Sequence, residues 1–227
     1  MTNDVQILNY GYPMPAVGLG VYKIADEQME EVVRTALDAG YRAFDTAYFY
    51  GNEKALGSAL KHSNVERDEL FITSKLWNDY QGYDQTIEYF NKSLDNLGLD
   101  YLDLFLIHWP CENDQLYIES YKALEHLYEE GKIKAIGVCN FKIHHLEKLM
   151  KETKITPQVN QIELHPYFNQ QDVQDFCDEH DIKVTAWMPL MRNKGLLDDP
   201  VITDIAHRYD KTPAQIVLRW HLAPVSY

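Results

Sequence analysis

The sequence predicts an α/β fold, a (β/α)8 TIM barrel of parallel strands wrapped in helices, as a single domain over residues 1–227. Three observations predict it. Short apolar runs alternate with longer amphipathic stretches along the chain, which is the pattern of a parallel sheet covered by helices. The strand runs "LFITSKL", "LDLFLIHW" and "IKAIGVCNF" are nearly continuous in apolar residues, as expected when both faces of a sheet are buried. Polar and ionisable residues stand where several of these strands end, and the C-terminal rim is where such barrels build their sites. No G-x-G-x-x-G follows the first strand, which argues against an open dinucleotide-binding sheet.

The elements follow in order. "VQILNYG" and "PAVGLGVY" predict a hairpin and then a first strand. An amphipathic helix is predicted from Asp26 to Asp38, ending at Gly40. Strand and helix then alternate: "YRAFDTA", "NEKALGSALKH", "LFITSKL", "YDQTIEYFNKSLDNLG", "LDLFLIHW", "YIESYKALEHLYEEGK", "IKAIGVCNF", "IHHLEKLMKET", "TPQVNQIEL", "QQDVQDFCDEH" and "IKVTAWMPL". "PVITDIAHRYD" and "TPAQIVLRWHL" are the last helices, the second with Pro213 in its first turn, where proline is tolerated. That is seven strands. An eighth strand–helix unit needs roughly 25–40 more residues, whereas the chain ends at "RWHLAPVSY". The expected barrel is therefore incomplete, C-terminally truncated, with the eighth strand and helix missing. Its two open edges predict low stability, or oligomerisation through those edges.

Composition narrows the function classes. The net charge of −14, from 35 acids against 21 bases, disfavours nucleic acid and anionic membrane surfaces as partners. No apolar stretch approaches the roughly 18 residues of a membrane span, and the N-terminus lacks a signal-peptide pattern. Cys111, Cys139 and Cys177 fit neither a disulfide framework nor a zinc spacing, so a reducing cytoplasm is the simplest inference.

Asp45, Lys75 and His108 each end an apolar run, and Tyr50 follows Asp45 by five residues. Burying such groups is costly unless they are paired. Together they suit proton transfer to a carbonyl oxygen. Tyr50 is the candidate acid, Lys75 lowers its pKa, Asp45 pairs with Lys75, and His108 orients the substrate. Asn160, Gln161 and Glu163 also interrupt an apolar strand, and Gln161 and Asn140 offer amides suited to a carboxamide. Trp187 offers a flat face for a ring to stack on.

The chain resembles the aldo-keto reductases, and among them the bacterial diketogluconate-reductase-like branch, from about residue 5 to residue 222. "GYRAFDTAYFYGNEKALG", "LDLFLIHWP", "GVCNF", "NQIELHP" and "TPAQIVLRWHL" carry the resemblance. It implies NADPH bound in extended form without a Rossmann motif, no metal, a monomer, and a small aldehyde or ketone, such as a sugar-derived carbonyl, as substrate. Tyr50 matches the proton donor, Asp45 and Lys75 its partners, and His108 the orienting histidine. Asn140 and Gln161 match contacts to the nicotinamide carboxamide. Cys139 stands where serine is usual, which weakens or rearranges one such contact. Trp187 matches the ring-stacking position, and Leu190 the loop along the pyrophosphate. Trp77 and Trp109 match walls of the substrate pocket. Met188 and Met191 replace smaller residues in the cofactor loop. The segment that grips the adenosine phosphate is not matched. Two other readings compete: a non-catalytic barrel with weakened cofactor binding, and a metal-dependent hydrolase using His108, Glu163 and His165.

Overall fold

A computed structural model describes residues 4–222. An N-terminal hairpin pairs β1 (Val5–Ile7) with β2 (Pro13–Pro15) antiparallel. Then comes one parallel seven-stranded sheet in sequential order. Its strands are β3 (Gly18–Gly20), β4 (Ala43–Asp45), β5 (Phe71–Leu76), β6 (Leu102–Ile107), β7 (Ile133–Cys139), β8 (Val159–Glu163) and β9 (Lys183–Trp187). The helices between them are α1 (Asp26–Asp38), α2 (Glu53–His62), α3 (Tyr83–Leu97), α4 (Asp114–Glu129), α5 (Ile143–Glu152) and α6 (Gln171–Glu179). α7 (Pro200–Tyr209) and α8 (Pro213–His221) close the described chain. The hairpin, the seven strands and the bounds of α1 agree with the sequence reading. Among the described residues β3 pairs only with β4 and β9 only with β8, so the barrel is nearly closed. Residues 223–227, on which the expected early stop rests, lie outside the described residues.

The strands sort their side chains by the period of two. Phe44, Ile72, Phe105, Ile136, Val138 and Ile162 join the large core beneath the helices. Their neighbours Ala43, Phe71, Leu104, Leu106, Ala135, Cys139 and Val159 form a second cluster inside the barrel. Leu8 and Met14 of the hairpin join this inner cluster and plug the N-terminal end of the barrel. A buried polar knot ties the plug down: Asp103 accepts from the Tyr12 hydroxyl at 2.6 Å, from the Arg67 guanidinium at 2.6 Å and from the Ile72 N–H at 2.8 Å.

Helix ends follow local chemistry. Thr212 and Gln215 form a reciprocal capping box at the start of α8, and Asp199 caps α7 ahead of Pro200. In α1, Met29, Val33, Ala36 and Leu37 recur at helical spacing and are buried against the barrel.

One inner position requires glycine. A Cβ on Gly137 would stand 2.4 Å from the Val159 carbonyl oxygen and 2.9 Å from Leu106. The carbonyl belongs to a paired strand and cannot swing aside. Gly137→Ala is expected to cost about 1–3 kcal/mol, measured as a lower urea midpoint. An unchanged midpoint would show that β7 and β8 can separate without cost.

Candidate active site

The inward parity of the strands brings the sequence-predicted residues to one rim. Asp45 ends β4, Lys75 is the penultimate residue of β5, and His108 follows β6. Cys139 ends β7 and Asn140 follows it, Gln161 lies within β8, and Trp187 ends β9. Tyr50 stands on a single 3-10 turn, Tyr48–Tyr50, that rises from the end of β4.

Lys75 is the centre of this rim. Its side chain is 0% exposed, and its ammonium donates to the Asp45 carboxylate and, at 2.8 Å, to the Thr46 carbonyl oxygen. Asp45 is also held by the Gln161 amide, at 2.9 Å from Oδ2. Burial pushes the Lys75 ammonium towards its neutral form, but Asp45, Tyr50 and Cys139 outweigh it and hold the pKa above the usual lysine range. The lysine is therefore charged at every physiological pH. It stands 5.2 Å from the centre of the Tyr50 ring.

Lys75 acts on Tyr50 in the expected direction, lowering its pKa, but the balance goes the other way. Burial is the larger influence and raises it, Asp45 and Cys139 add to the rise, and the charge and hydrogen bonding of Lys75 only partly oppose them. Tyr50 therefore keeps its proton at neutral pH. His108 lies with its ring 5.7 Å from that of Tyr50. Burial, and then the Lys75 charge, lower its pKa to about 3. It is a neutral imidazole, and its Nδ1 is buried without a partner.

An unfolded histidine takes up a proton near pH 6.5, whereas folded His108 resists until about pH 3. The unfolded state binds more protons within that window, so the contribution is full above about pH 6.5 and lost as the pH falls towards 3. His108→Gln should lose less stability than the parent between pH 7 and pH 4, read as urea midpoints. Equal losses would contradict the assignment.

The other predicted residues fall around the mouth. Asn140 bridges the rim: its Nδ2 donates to the His108 carbonyl oxygen at 3.1 Å, and its Oδ1 accepts from the Trp187 indole at 2.7 Å. Trp77 stacks on Phe49 with ring centres 3.8 Å apart and meets His108 edge-on. Trp109 packs edge-to-face on Trp187. Cys139 is 1% exposed and belongs to the inner core below Lys75. Leu190 packs on a small cluster of Leu196, Ile202 and Val217 beneath α7 and α8. Met188 and Met191 both adopt left-handed backbone, so the loop after β9 is sharply bent. Asn160 points away from the rim, where its amide donates to the Phe141 carbonyl oxygen.

The hydrolase constellation is not assembled. Glu163 and His165 pair with each other at 3.3 Å, and no group of three or more His, Cys, Asp or Glu able to hold a metal ion occurs among the described residues. Sequence reasoning missed Phe49 at the mouth and Thr46 and Asn52 beneath it. Their adjacency to Asp45 and Tyr50 in "FDTAYFYGNE" was the available signal.

The model of the aldo/keto reductase family matches residues 16–226. The chain belongs to the aldo/keto reductase family. Glyoxal reductase from Bacillus subtilis is 49% identical over 220 residues, covering 96% of this chain and 79% of the relative. Methylglyoxal reductase DkgA from Escherichia coli O157:H7 is 49% identical over 224 residues, covering 98% and 81%. Among solved structures, an aldo/keto reductase from Brucella melitensis superposes with a TM-score of 0.94 at 47% identity, covering 97% of this chain and 85% of the other. A mutant of Gox0644 in complex with NADPH superposes with a TM-score of 0.92 at 42% identity, covering 98% and 80%. This aldo/keto reductase thus has the barrel and the oxidoreductase kinship that its motifs imply. No helix among its described residues is long and apolar enough to cross a membrane.

Proposed function

We propose that this aldo/keto reductase reduces a small aldehyde or ketone to the alcohol with NADPH, Tyr50 being the proton donor. The observation that carries the reading is the charged, fully buried Lys75, held by Asp45 beside a protonated Tyr50 and a neutral His108. The names of the glyoxal and methylglyoxal reductases support a small dicarbonyl as substrate; a sugar-derived carbonyl is the alternative within the same chemistry.

The rim fits a flat ring that carries an amide. Trp187 offers an indole face, and Asn140 and Gln161 offer side-chain amides. The Thr185 hydroxyl, buried without a partner, is paired in register with Gln161. Those residues would hold the nicotinamide, Cys139 would floor it, and the Leu190 loop would run along the pyrophosphate. NADPH, when bound, supplies the hydride that reaches the carbonyl carbon.

The chain's own groups handle the oxygen. His108, neutral, donates a hydrogen bond to it and aligns the carbonyl. Trp77 and Trp109 wall the pocket and exclude water. Tyr50 passes its phenolic proton to the oxygen as negative charge develops there. The phenolate left behind faces Lys75. At about 5 Å and an effective dielectric near 20, that attraction is worth about 3 kcal/mol, and the ammonium that supplies it is already in place before the reaction begins. A supporting result is loss of NADPH absorbance with methylglyoxal, abolished in Tyr50→Phe. No turnover with any aldehyde or ketone, despite saturating NADPH binding, would instead favour the non-catalytic barrel.

A further inference from the structure

Tyr50 sits on a loop whose two ends are tied together beneath it. Thr46 begins the loop and Asn52 ends it; they are 0% and 3% exposed. The Thr46 hydroxyl donates to Asn52 Oδ1 at 2.8 Å. Asn52 Nδ2 donates in turn to the Val21 carbonyl oxygen at 2.8 Å, and the Val21 N–H donates to the Asp45 carbonyl oxygen at 2.9 Å. Thr46 is also held from the sheet, its N–H donating to the Thr73 carbonyl oxygen at 2.9 Å. The remaining Thr46 group, its carbonyl oxygen, receives the Lys75 ammonium. One residue thereby anchors both the loop that carries the phenol and the lysine that faces it.

We propose that Thr46 and Asn52 form a buried clamp that sets the distance between Tyr50 and Lys75, and so act as positioning residues for proton transfer. The inference rests on the reading of Tyr50 as proton donor. Three details support the clamp over a generic turn contact. The turn itself holds little: Tyr50 N–H to Ala47 and Gly51 N–H to Tyr48 are its internal bonds. Gly51 then reverses the chain at φ 71°, a conformation that favours glycine and lets Asn52 turn back under the loop. Next in sequence, Glu53, 2% exposed, accepts from the Ser74 hydroxyl at 2.6 Å and from the Asn96 amide at 2.9 Å. Ser74 is the residue before Lys75. The loop and the lysine strand are thus cross-tied on both sides of the site by hydrogen bonds among buried protein groups.

The test is Thr46→Val, which keeps the shape and deletes the hydroxyl, with Thr46→Ser as the conservative partner. Tyr50→Phe is assayed alongside. Methylglyoxal reduction is followed with saturating NADPH as a function of pH, and NADPH affinity by tryptophan fluorescence. A working clamp predicts that Thr46→Val lowers kcat at least tenfold with NADPH affinity within twofold. It also predicts that the basic limb of kcat moves to higher pH, because a phenol further from Lys75 holds its proton longer. Thr46→Ser should restore most of the activity. Thr46→Val with parental kcat and pH profile overturns the clamp if Tyr50→Phe is inactive, and so does a loss that Thr46→Ser fails to rescue. If Tyr50→Phe itself turns over at the parental rate, the reading of Tyr50 fails instead. Should Thr46→Val not fold, Asn52→Ser is measured with the same readouts; a parental kcat and profile there overturn the proposal.

Discussion

Tyr50→Phe is expected to lower kcat for carbonyl reduction by about 10²–10⁴, the range that a positioned proton donor contributes, with little change in NADPH affinity. The ring packs against Tyr22 and His108, and phenylalanine preserves both contacts. The change therefore removes a proton and leaves the shape. Its hydroxyl meets Lys75, which keeps its bonds to Asp45 and to the Thr46 carbonyl oxygen, so the variant should melt within a few degrees of the parent. Steady-state kinetics with circular dichroism melting separates the two effects. A kcat within threefold of the parent would place the proton elsewhere.

The second large effect is expected at Lys75. Lys75→Met replaces a fully buried ammonium by an apolar chain of similar length. Removing one partner of a buried pair usually strands the other. Here Asp45 is 24% exposed and keeps the Gln161 amide, so the stranded charge stays partly hydrated and hydrogen-bonded. Folding should survive. Catalysis should fall by about 10², the equivalent of the roughly 3 kcal/mol lost from the phenolate. The basic limb of the pH profile should rise because burial, Asp45 and Cys139 then raise the Tyr50 pKa unopposed. An unmoved limb would show that the lysine is structural.

Much of this was legible in the sequence because strand ends are conspicuous. A lysine after "FITS" or a histidine after "DLFLI" breaks an apolar run, and the period of two then points both into one barrel. The hairpin and the α1 bounds were legible for a similar reason, since glycine, proline and helical spacing act locally. Other features depend on three-dimensional sums. The pKa of Tyr50 is set by burial against a nearby cation, and no string of residues reveals which is larger. Thr46 and Asn52 read as ordinary small polar loop residues; only the fold places one beneath the other. Asn160 and Gln161 are neighbours of equal polarity in an apolar strand, yet their opposite parity sends one to the helices and the other to Asp45. Leu190 was assigned to the cofactor loop, and its packing under α7 and α8 depends on helices far along the chain.

The proposed coupling of NADPH binding at the rim to proton donation by Tyr50 can be read from one titration of the 227-residue protein. NADPH is added while tryptophan fluorescence is followed, then methylglyoxal is supplied and absorbance of the reduced nicotinamide recorded, for the parent and for Tyr50→Phe. Saturable quenching of similar midpoint is expected in both proteins, with consumption of NADPH by the parent alone. Equal consumption by both, or no quenching in either up to millimolar NADPH, would contradict it.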